Sequence, residues 1–162
     1  MEYIFEKASE ADRDDLLALY RSQIGHNGCP WTEEYPSDAT IDFDLSRESL
    51  FVLRSGDGII GAVSIDDDEE VNVLACWNKE LEPEAEFSRI AVRTDMQGRG
   101  IGKILVRSVM EEMKKRGFRG VHILVNRYNT AALKLYDAFD FKNVGECSMY
   151  EQEFYCYEKE LR

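Results

Sequence analysis

Apolar residues are spaced along the chain in two ways, and the two spacings alternate. Continuous or alternating apolar runs, rich in β-branched and aromatic residues, predict strands. Such runs lie at Tyr3–Ala8, Leu50–Arg54, Ile59–Ile65, Glu86–Val92, Val121–Val125, Val144–Tyr150 and Glu153–Glu160. Ser55-Gly56-Asp57-Gly58 predicts a hairpin turn between two of them. The segment Val71–Trp77 fits a strand or a loop.

Apolar residues four positions apart predict helices between these strands. The clearest helix carries Ile101, Leu105, Val109 and Met113, and it ends at Gly117 after cations that suit the helix dipole. Further helices are expected from Ser9 to Gly25, over roughly Ala39–Ser46, and from Asn129 through Phe139. Ser9 and Asn129 are residue types that cap helix N-termini.

The order of these elements is β-α-(α)-β-β-β-α-β-α-β-β, with no internal repeat and no low-complexity linker. Strands that alternate with helices predict a mixed α/β fold, in which helices cover the faces of a central sheet. Val121–Val125 is nearly continuous in apolar residues, which is typical of a central or parallel strand. A chain of 162 residues is expected to form one domain, residues 1–162.

The composition excludes several classes of protein. Hydrophobic residues make up 44% of the chain and aromatic residues 11%, which excludes a disordered protein. The formal net charge of −12 argues against nucleic acid and anionic membranes as partners, because both attract patches of Lys and Arg. The acidic start lacks the apolar stretch of a signal peptide, and no run reaches the roughly 18 apolar residues of a membrane helix. We therefore expect a cytoplasmic protein.

The cysteines and histidines predict neither a disulfide framework nor a metal site. The four cysteines are scattered along the chain without a Cys-x-x-Cys pair. The two histidines stand at no metal-ligand spacing from them. We expect free thiols in a reducing compartment and no bound metal.

Three glycines follow the strand at Glu86–Val92, in the turn Gln97-Gly98-Arg99-Gly100-Ile101-Gly102. A strand, a glycine-rich turn and a helix N-terminus are typical of phosphate sites, because the backbone approaches the anion and free N–H groups donate to it. The turn is not a Walker A loop, since Gln97 stands five residues before Gly102-Lys103. It is not a dinucleotide fingerprint, since the third glycine would fall on Lys103 or Leu105.

This turn resembles the Q/R-x-x-G-x-G/A acyl-CoA-binding motif of the GNAT N-acetyltransferase superfamily. A second block begins about thirty residues downstream, where Asn129 to Phe141 resembles the family pattern N-x-x-A-x-x-L-Y-x-x-x-G-F. Asp140 departs from that pattern, at the position where the family usually has glycine, although aspartate tolerates the left-handed turn. The resemblance is specific over about residues 84–141.

The resemblance implies a GNAT-like fold: a mixed central sheet, flanked by helices, whose parallel strands splay apart around acetyl-CoA, the acyl donor. It assigns cofactor binding to the end of a strand, the glycine turn and the start of a later helix. These residues are Ile90, Ala91, Val92, Gln97, Gly98, Arg99, Gly100, Ile101, Gly102, Lys103 and Asn129. Cations cluster from Arg89 to Lys134, which suits an anionic donor.

The resemblance also implies direct transfer of an acetyl group from a thioester to an amine. Tyr136 matches the family's usual general acid, which protonates the departing thiolate. Glu86 matches the glutamate that acts as general base in the histone-acetylating branch. Glu84, His122 or a water relay are alternatives for the base, and Cys147 as a nucleophile is a rival mechanism.

Three classes of function stay open at this point. The first is an N-acetyltransferase that acts on a primary amine of a small molecule or a protein. The second is a catalytically silent acyl-CoA-binding domain of the same fold, and the third is a nucleotide-binding protein that uses the glycine turn. Aromatic and acidic residues outside the motifs, among them Trp31, Asp42 and Asp44, are candidates for binding a cationic amine. By resemblance, the chain is also a candidate homodimer.

Overall fold

The computed structural model describes residues 2–26, 28–56 and 58–162. The strands are β1 Ile4–Lys7, β2 Leu50–Ser55, β3 Gly58–Asp66, β4 Glu84–Val92, β5 Gly120–Asn126, β6 Lys142–Met149 and β7 Gln152–Glu160. The α-helices are α1 Arg13–Ser22, α2 Asp38–Ser46, α3 Glu69–Asn72, α4 Ile101–Lys115 and α5 Thr130–Asp137. Short 3-10 turns precede α1, β4 and α4, at Glu10–Asp12, Lys79–Leu81 and Thr94–Met96.

The predicted strands and helices are confirmed, with small shifts at their ends. β2 and β3 pair in antiparallel fashion, as the hairpin signal predicts, while Asp57 in its turn lies outside the described residues. Val71–Trp77, which was open between strand and loop, forms the end of α3 and the turns after it. Asp140 adopts the left-handed backbone expected at its position, with φ 63°.

The seven strands form a mixed sheet in the order β1-β2-β3-β4-β5-β7-β6. β4 and β5 are parallel over three residue pairs, from Glu84–Gly120 to Glu86–His122. β1 with β2, β2 with β3, β5 with β7, and β6 with β7 are antiparallel. The mixed α/β sheet predicted from the sequence is therefore confirmed.

The chain divides into two compact units, and the first comprises Met1–Ile65 and Ser88–Val109. Its apolar core joins α1 and α2 to the strands, with Leu16, Tyr20 and Ile41 from the helices packed against residues such as Val52 and Ala62. A side chain at Gly61 would meet Leu105 and Ile101 of α4, besides the Ala91 carbonyl of β4, as expected because successive residues of a strand face opposite ways. Helices therefore cover both faces of β3.

The second unit comprises Asp66–Phe87 and Met110–Arg162. β5 pairs with β7 along its whole length, from Gly120↔Glu160 to Asn126↔Phe154. β6 and β7 form the closing hairpin that the sequence predicts. α5 is attached through Tyr136, which is buried.

Membrane-spanning helices and metal clusters are absent from the residues that the structure describes. No helix in this part of the chain is long and apolar enough to cross a membrane. Among residues 2–26, 28–56 and 58–162, no group of three or more His, Cys, Asp or Glu is arranged to hold a metal ion. The assignment of residues 1–162 to a single domain stays a prediction.

Candidate active site

The glycine turn predicted to bind phosphates forms the start of α4. After the 3-10 turn, the backbone is extended at Gln97 and then left-handed at Gly98, with φ 77°, and at Gly100, with φ 81°. Residues with side chains rarely adopt this conformation, so the turn favours glycine at both positions. A Cβ built on Gly98 or Gly100 would have no atom within 4 Å, so space is open beside the turn.

The first amides of α4 are available as donors. The Ile104 N–H makes a bond back along the chain, to the Gly100 carbonyl at 3.2 Å. The N–H groups of residues 101–103 precede that bond and lie at the positive end of the helix dipole. Arg99 and Lys103 are exposed beside them. Backbone donors, a dipole and two cations fit the pyrophosphate of a coenzyme A ester.

Two side-chain amides fix the end of β4. The Val92 carbonyl accepts hydrogen bonds from Gln23 Nε2 at 2.8 Å and from Gln97 Nε2 at 3.2 Å. Gln97, which the motif assigns to the cofactor, thus ties the glycine turn to the strand before it. Sequence reasoning misses Gln23, because its partner is a main-chain oxygen 69 residues away.

The main-chain groups at the end of β4 alternate between its two edges. The Arg93 N–H donates to the Ile60 carbonyl of β3 at 2.8 Å. Residues two apart on a strand share a direction, so the main chain of Ala91 also faces β3. The main-chain groups of Ile90 and Val92 face the opposite edge. The Val92 carbonyl already accepts from Gln23 and Gln97. Of the three residues predicted at this strand end, Ile90 and the N–H of Val92 are therefore the better candidates for main-chain contacts with a ligand.

Tyr136, the predicted general acid, lies in an aromatic cluster of the second unit. Its ring centroid is 5.8 Å from that of Phe87 and 5.8 Å from that of Phe141. Burial raises the pKa of the Tyr136 hydroxyl above its ordinary value, so the phenol stays protonated at neutral pH. Tyr136 is thus a packed aromatic residue that also meets the requirement of a proton donor.

Glu86, the predicted base, is buried on β4, with 6% of the residue exposed. The parallel register pairs it with His122 of β5, and paired residues on adjacent strands face the same side of the sheet. Glu84 shares this face, since it precedes Glu86 by two residues. Glu84 Oε1 lies 3.0 Å from His122 Nδ1. The two alternative bases, Glu84 and His122, are therefore hydrogen-bonded to each other.

Asn129 begins α5 and caps it, as predicted. Its Oδ1 accepts a hydrogen bond from the Ala132 N–H at 3.1 Å, which is the usual contact of an N-cap asparagine. Its own N–H donates to the Asn126 carbonyl at 3.0 Å. The contact with the pantetheine arm that the resemblance assigns to Asn129 stays a prediction.

Asp42 and Asp44, the candidates for binding a cationic amine, are both engaged with arginine. Arg89 donates to the two carboxylate oxygens of Asp44 at 2.8 and 3.2 Å, and Arg47 donates to the same side chain at 2.9 Å. Asp44 is completely buried. Asp42 accepts a hydrogen bond from Arg13. These acids therefore stabilise the first unit, and Arg89, the first cation of the predicted cluster, is buried with them.

Three of the cysteines lie close together in the second unit, and all four are free thiols. Burial, together with the thiols of Cys76 and Cys147, raises the pKa of Cys156. Burial also raises the pKa of Cys76. The thiolate is the nucleophilic form of cysteine, so these shifts make Cys76 and Cys156 poor nucleophiles. Cys147, the rival nucleophile, is half-buried on β6 beside them.

Comparison with known proteins decides the family. The model of the acetyltransferase (GNAT) family matches residues 14–141, which include the glycine turn, Glu86 and Tyr136. The chain belongs to the GNAT acetyltransferase family. The predicted resemblance is confirmed, and acetyl-CoA is the acyl donor of this family of acyltransferases.

Several curated relatives of this acetyltransferase are named for their activity. The [ribosomal protein bS18]-alanine N-acetyltransferase of Escherichia coli K12 is 36% identical over 133 residues, 82% of this chain and 78% of its own length. The L-methionine sulfoximine/L-methionine sulfone acetyltransferase of Pseudomonas aeruginosa is 25% identical over 152 residues, 91% of this chain and 84% of its own. An uncharacterised N-acetyltransferase of Methanocaldococcus jannaschii is 28% identical over 86% of this chain, which spans 61% of that protein.

A solved structure confirms the fold. It is an acetyltransferase of Salmonella typhimurium with its cofactor acetyl-CoA. The TM-score is 0.77 at 16% sequence identity, and the match covers 100% of this chain and 95% of the other. At such low identity the likeness shows the fold alone, a mixed sheet flanked by helices.

Proposed function

We propose that this acetyltransferase transfers an acetyl group directly from acetyl-CoA to a primary amine. The observation that carries the proposal is the glycine turn, whose open backbone amides lie beside the exposed side chains of Arg99 and Lys103. These groups bind the pyrophosphate. The main-chain groups of Ile90 and the N–H of Val92 bind the amide-rich pantetheine arm as a peptide strand would. Asn129 contacts the same arm beyond β5.

Glu86 and Tyr136 handle the protons of the proposed reaction. Glu86 takes a proton from the substrate ammonium, and the lone pair of the resulting amine attacks the thioester carbon. The N–C bond forms and the C–S bond breaks, while Tyr136 gives its proton to the sulfur and regains one from the nitrogen. Glu86 then releases its proton to solvent. A backbone N–H near Val92 stabilises the charge on the thioester oxygen. From an ammonium substrate, the net products are an amide, a free thiol and one released proton.

The names of two relatives point to the class of amine. One relative acts on an alanine of a ribosomal protein, and another on L-methionine sulfoximine and L-methionine sulfone. All three substrates carry an amine on an α-carbon. We infer an α-amine acceptor, either the N-terminus of a polypeptide or a free amino acid.

Release of the CoA thiol from acetyl-CoA tests the proposed transfer. The acceptors are a peptide that begins with alanine, the same peptide with a blocked N-terminus, and methionine sulfone. Thiol release is expected with at least one free α-amine and not with the blocked peptide. If no amine in a broad panel gives thiol release, the result would contradict transfer and favour the silent acyl-CoA-binding domain.

Thermal unfolding separates acyl-CoA binding from nucleotide binding. A ligand at a hundred times its Kd stabilises the folded state by about 2.7 kcal/mol. Acetyl-CoA is expected to raise the Tm, whereas ATP and NAD are expected to leave it unchanged. Protection by ATP alone would overturn the assignment of the glycine turn to acetyl-CoA.

Tyr136→Phe tests the proposed acid, with Tyr128→Phe as the matched control because Tyr128 is 70% exposed. Loss of a general acid typically lowers the rate by about 10²–10⁴-fold. Tyr136→Phe is therefore expected to lower kcat while the Tm shift with acetyl-CoA persists. If both variants turn over alike, Tyr136 is not the acid.

We also infer a cytoplasmic location and a homodimer. The four free thiols suit a reducing compartment, and the net charge of −12 disfavours nucleic acid and anionic membranes as partners.

Light scattering on the purified chain tests the dimer. A mass near 18.7 kDa would show a monomer instead.

A further inference from the structure

The second unit buries a cluster of two glutamates and a histidine that takes no part in the proposed reaction. The side chains of Glu84 and His122 are 5% and 4% exposed, and Glu158 is 5% exposed. Buried carboxyl groups are rare unless they are paired. In the part of the chain that the structure describes, neither Glu84 nor Glu158 forms an ion pair with Lys or Arg. Protons must therefore balance the charge of this cluster.

The hydrogen bonds fix where one of these protons lies. Asn72 donates through Nδ2 to Asp67 Oδ1 at 2.9 Å, so its Oδ1 faces His122 Nε2 at 3.1 Å. Nε2 therefore carries a hydrogen. Burial disfavours a charge on the ring, so the imidazole is neutral at neutral pH and Nδ1 is an acceptor. Glu84 Oε1, 3.0 Å from Nδ1, must then donate. Burial lowers the pKa of His122 to about 4 and raises that of Glu84, which agrees with a neutral pair.

Glu84 occupies the space that a side chain at position 120 would otherwise fill. Its register partner on β5 is Gly120. A Cβ on Gly120 would lie 2.7 Å from Glu84 Oε2 and 2.9 Å from Glu84 Cγ. Any side chain at position 120 would therefore push Glu84 away from His122.

Glu158 adds a second proton site on the same face. Its Oε2 accepts the Asn78 N–H at 2.8 Å. Burial, followed by the neighbouring Glu84 carboxyl, raises the pKa of Glu158 to about 7. The other titratable groups that face Glu158 from the packed elements are Glu86 of β4, His122 of β5, Lys142 of β6 and Cys76 of the segment before β4.

The sheet register brings this cluster beside the proposed base. Glu86 is paired with His122, and His122 is paired with Glu158, so the three residues form one row across β4, β5 and β7. Neighbouring strands lie about 4.8 Å apart, so Glu158 is two strand spacings from Glu86. Buried charges are only weakly screened over two strand spacings, so a negative charge on Glu158 makes the Glu86 carboxylate a stronger base.

We propose that Glu158, with the Glu84–His122 pair beside it, is a positioning residue for Glu86 that strengthens this base when Glu158 releases its proton to solvent. The inference rests on the proposed function, because it takes Glu86 as the base for the amine. Below neutral pH, Glu158 is protonated and Glu86 is the weaker base. Above neutral pH, Glu158 is charged and Glu86 takes the amine proton more readily.

Nitrogen NMR on the ¹⁵N-labelled full chain tests the cluster without a substrate. The exposed His26 supplies a reference in the same spectrum. We expect His122 to stay neutral as the Nε2–H tautomer at pH 6, and its ring signals to move once near pH 7 as Glu158 ionises. That movement should vanish in Glu158→Gln. Protonation of His122 together with His26, or persistence of the movement in the variant, would overturn the inference.

The pH profile of kcat/KM tests the effect on catalysis. The assay uses acetyl-CoA and the free α-amine acceptor found in the thiol-release panel. Glu158→Gln resembles protonated Glu158 at every pH, so its kcat/KM should match the wild type at pH 6 and fall 3- to 10-fold below it at pH 8.5. A merely structural role would lower both values alike. Glu160→Gln, an exposed position on the same strand, is the control and should change neither value.

Gly120→Ala is a second variant that leaves Glu158 in place. By displacing Glu84, it should alter the His122 signals and the pH profile of kcat/KM. Suppose that the wild type turns over normally and that neither Glu158→Gln nor Gly120→Ala changes the pH profile of kcat/KM. That result would overturn the inference and leave the proposed function intact. Absence of thiol release by the wild type with every amine would overturn the proposed function, and this inference with it.

Discussion

Each compact unit buries acidic side chains, but the two units neutralise them differently. In the first unit, Asp44 is completely buried and receives hydrogen bonds from Arg89, Arg47 and Ser64. In the second unit, Glu84 and Glu158 are buried against an imidazole and against each other. The first arrangement holds fixed charges, whereas the second holds protons.

The difference separates a structural acid from a titratable one. Arginine does not lose its proton in the physiological range, so a buried Asp–Arg pair keeps the same charge at every such pH. A buried carboxyl group without a cation responds to pH instead, because burial disfavours its charged form. Sites of catalysis are enriched in groups of the second kind. The comparison therefore directs attention to the second unit, and five variants test it.

Asp44→Asn is expected to have the largest effect. It removes the carboxylate to which Arg89 donates, while the Arg89 side chain stays buried with 6% exposed. Breaking a buried ion pair costs about 3–5 kcal/mol of unfolding free energy. Denaturant unfolding measures this loss. The control is Asp42→Asn, at an exposed acid that pairs with Arg13, where a loss below about 1 kcal/mol is expected. Equal losses of unfolding free energy in the two variants would show that the buried Asp44–Arg89 pair stabilises the protein no more than the exposed Asp42–Arg13 pair.

Glu158→Gln is expected to stabilise the protein at alkaline pH. The pKa of Glu158 is raised from 4.5 to about 7, so the unfolded chain releases this proton at a lower pH than the folded chain. The folded state therefore loses stability as the pH rises between these values. Glu158→Gln has no such titration, so its free energy of unfolding should exceed that of the wild type by at most about 3 kcal/mol at pH 8, less where solvent screens the carboxylate, and by less than about 1 kcal/mol at pH 5.

Denaturant unfolding at both pH values measures this difference. The lowered pKa of His122 acts in the opposite sense, since it reduces stability as the pH falls from 6.5 toward 4. The charge of Glu158 raises the pKa of His122, so the difference between wild type and variant measures Glu158 together with its coupling to His122. A difference that does not change with pH would show that Glu158 has no raised pKa.

Gly61→Ala and Gly120→Ala compare a glycine in each unit. A Cβ on Gly61 would lie 2.9 Å from Leu105 Cδ1 and 3.2 Å from the Ala91 carbonyl oxygen. Overpacking of this kind typically costs about 1–3 kcal/mol, which thermal or denaturant unfolding detects. Gly61→Ala should leave the pH profile of kcat/KM unchanged, whereas Gly120→Ala should alter it. A changed profile in Gly61→Ala would show that overpacking alone moves the profile.

Arg99→Ala is expected to have the smallest effect on folding. Arg99 is exposed, so the free energy of unfolding should change by less than about 0.5 kcal/mol. Loss of a cation beside the phosphates should still raise the KM for acetyl-CoA by about 3- to 10-fold, less so at high salt. Lys115→Ala, at the other end of α4, is the control. An equal KM in the two variants would contradict the phosphate role of Arg99.

The fold was largely predictable from the sequence, because its signals are local. Leu105, Val109 and Met113 of α4 stand four residues apart, and Asn129 is an N-cap by type and by its position before α5. The glycine turn was predictable for the same reason, since Gly98 and Gly100 are required by their own backbone angles. Such features depend on a few consecutive residues.

The pairing of buried charges was not predictable, because the partners are distant in the sequence. Arg89 meets Asp44 across 45 residues, and His122 meets Glu84 across 38. In sequence, Asp44 is an acid in a polar segment and His122 a lone histidine in an apolar strand. Only the sheet register shows that His122 stands in one row with Glu86.

The stacking of Trp77 on His122 has an optical consequence. The two rings lie 4.6 Å apart at 15°, and the indole N–H is held by the Val71 carbonyl at 2.8 Å. A protonated imidazole quenches the fluorescence of an indole that it touches. The chain contains two tryptophans, so replacing Trp31 by phenylalanine would leave Trp77 as the single emitter. Trp77 is therefore expected to report, without any label, the protonation of His122 as the pH falls toward 4.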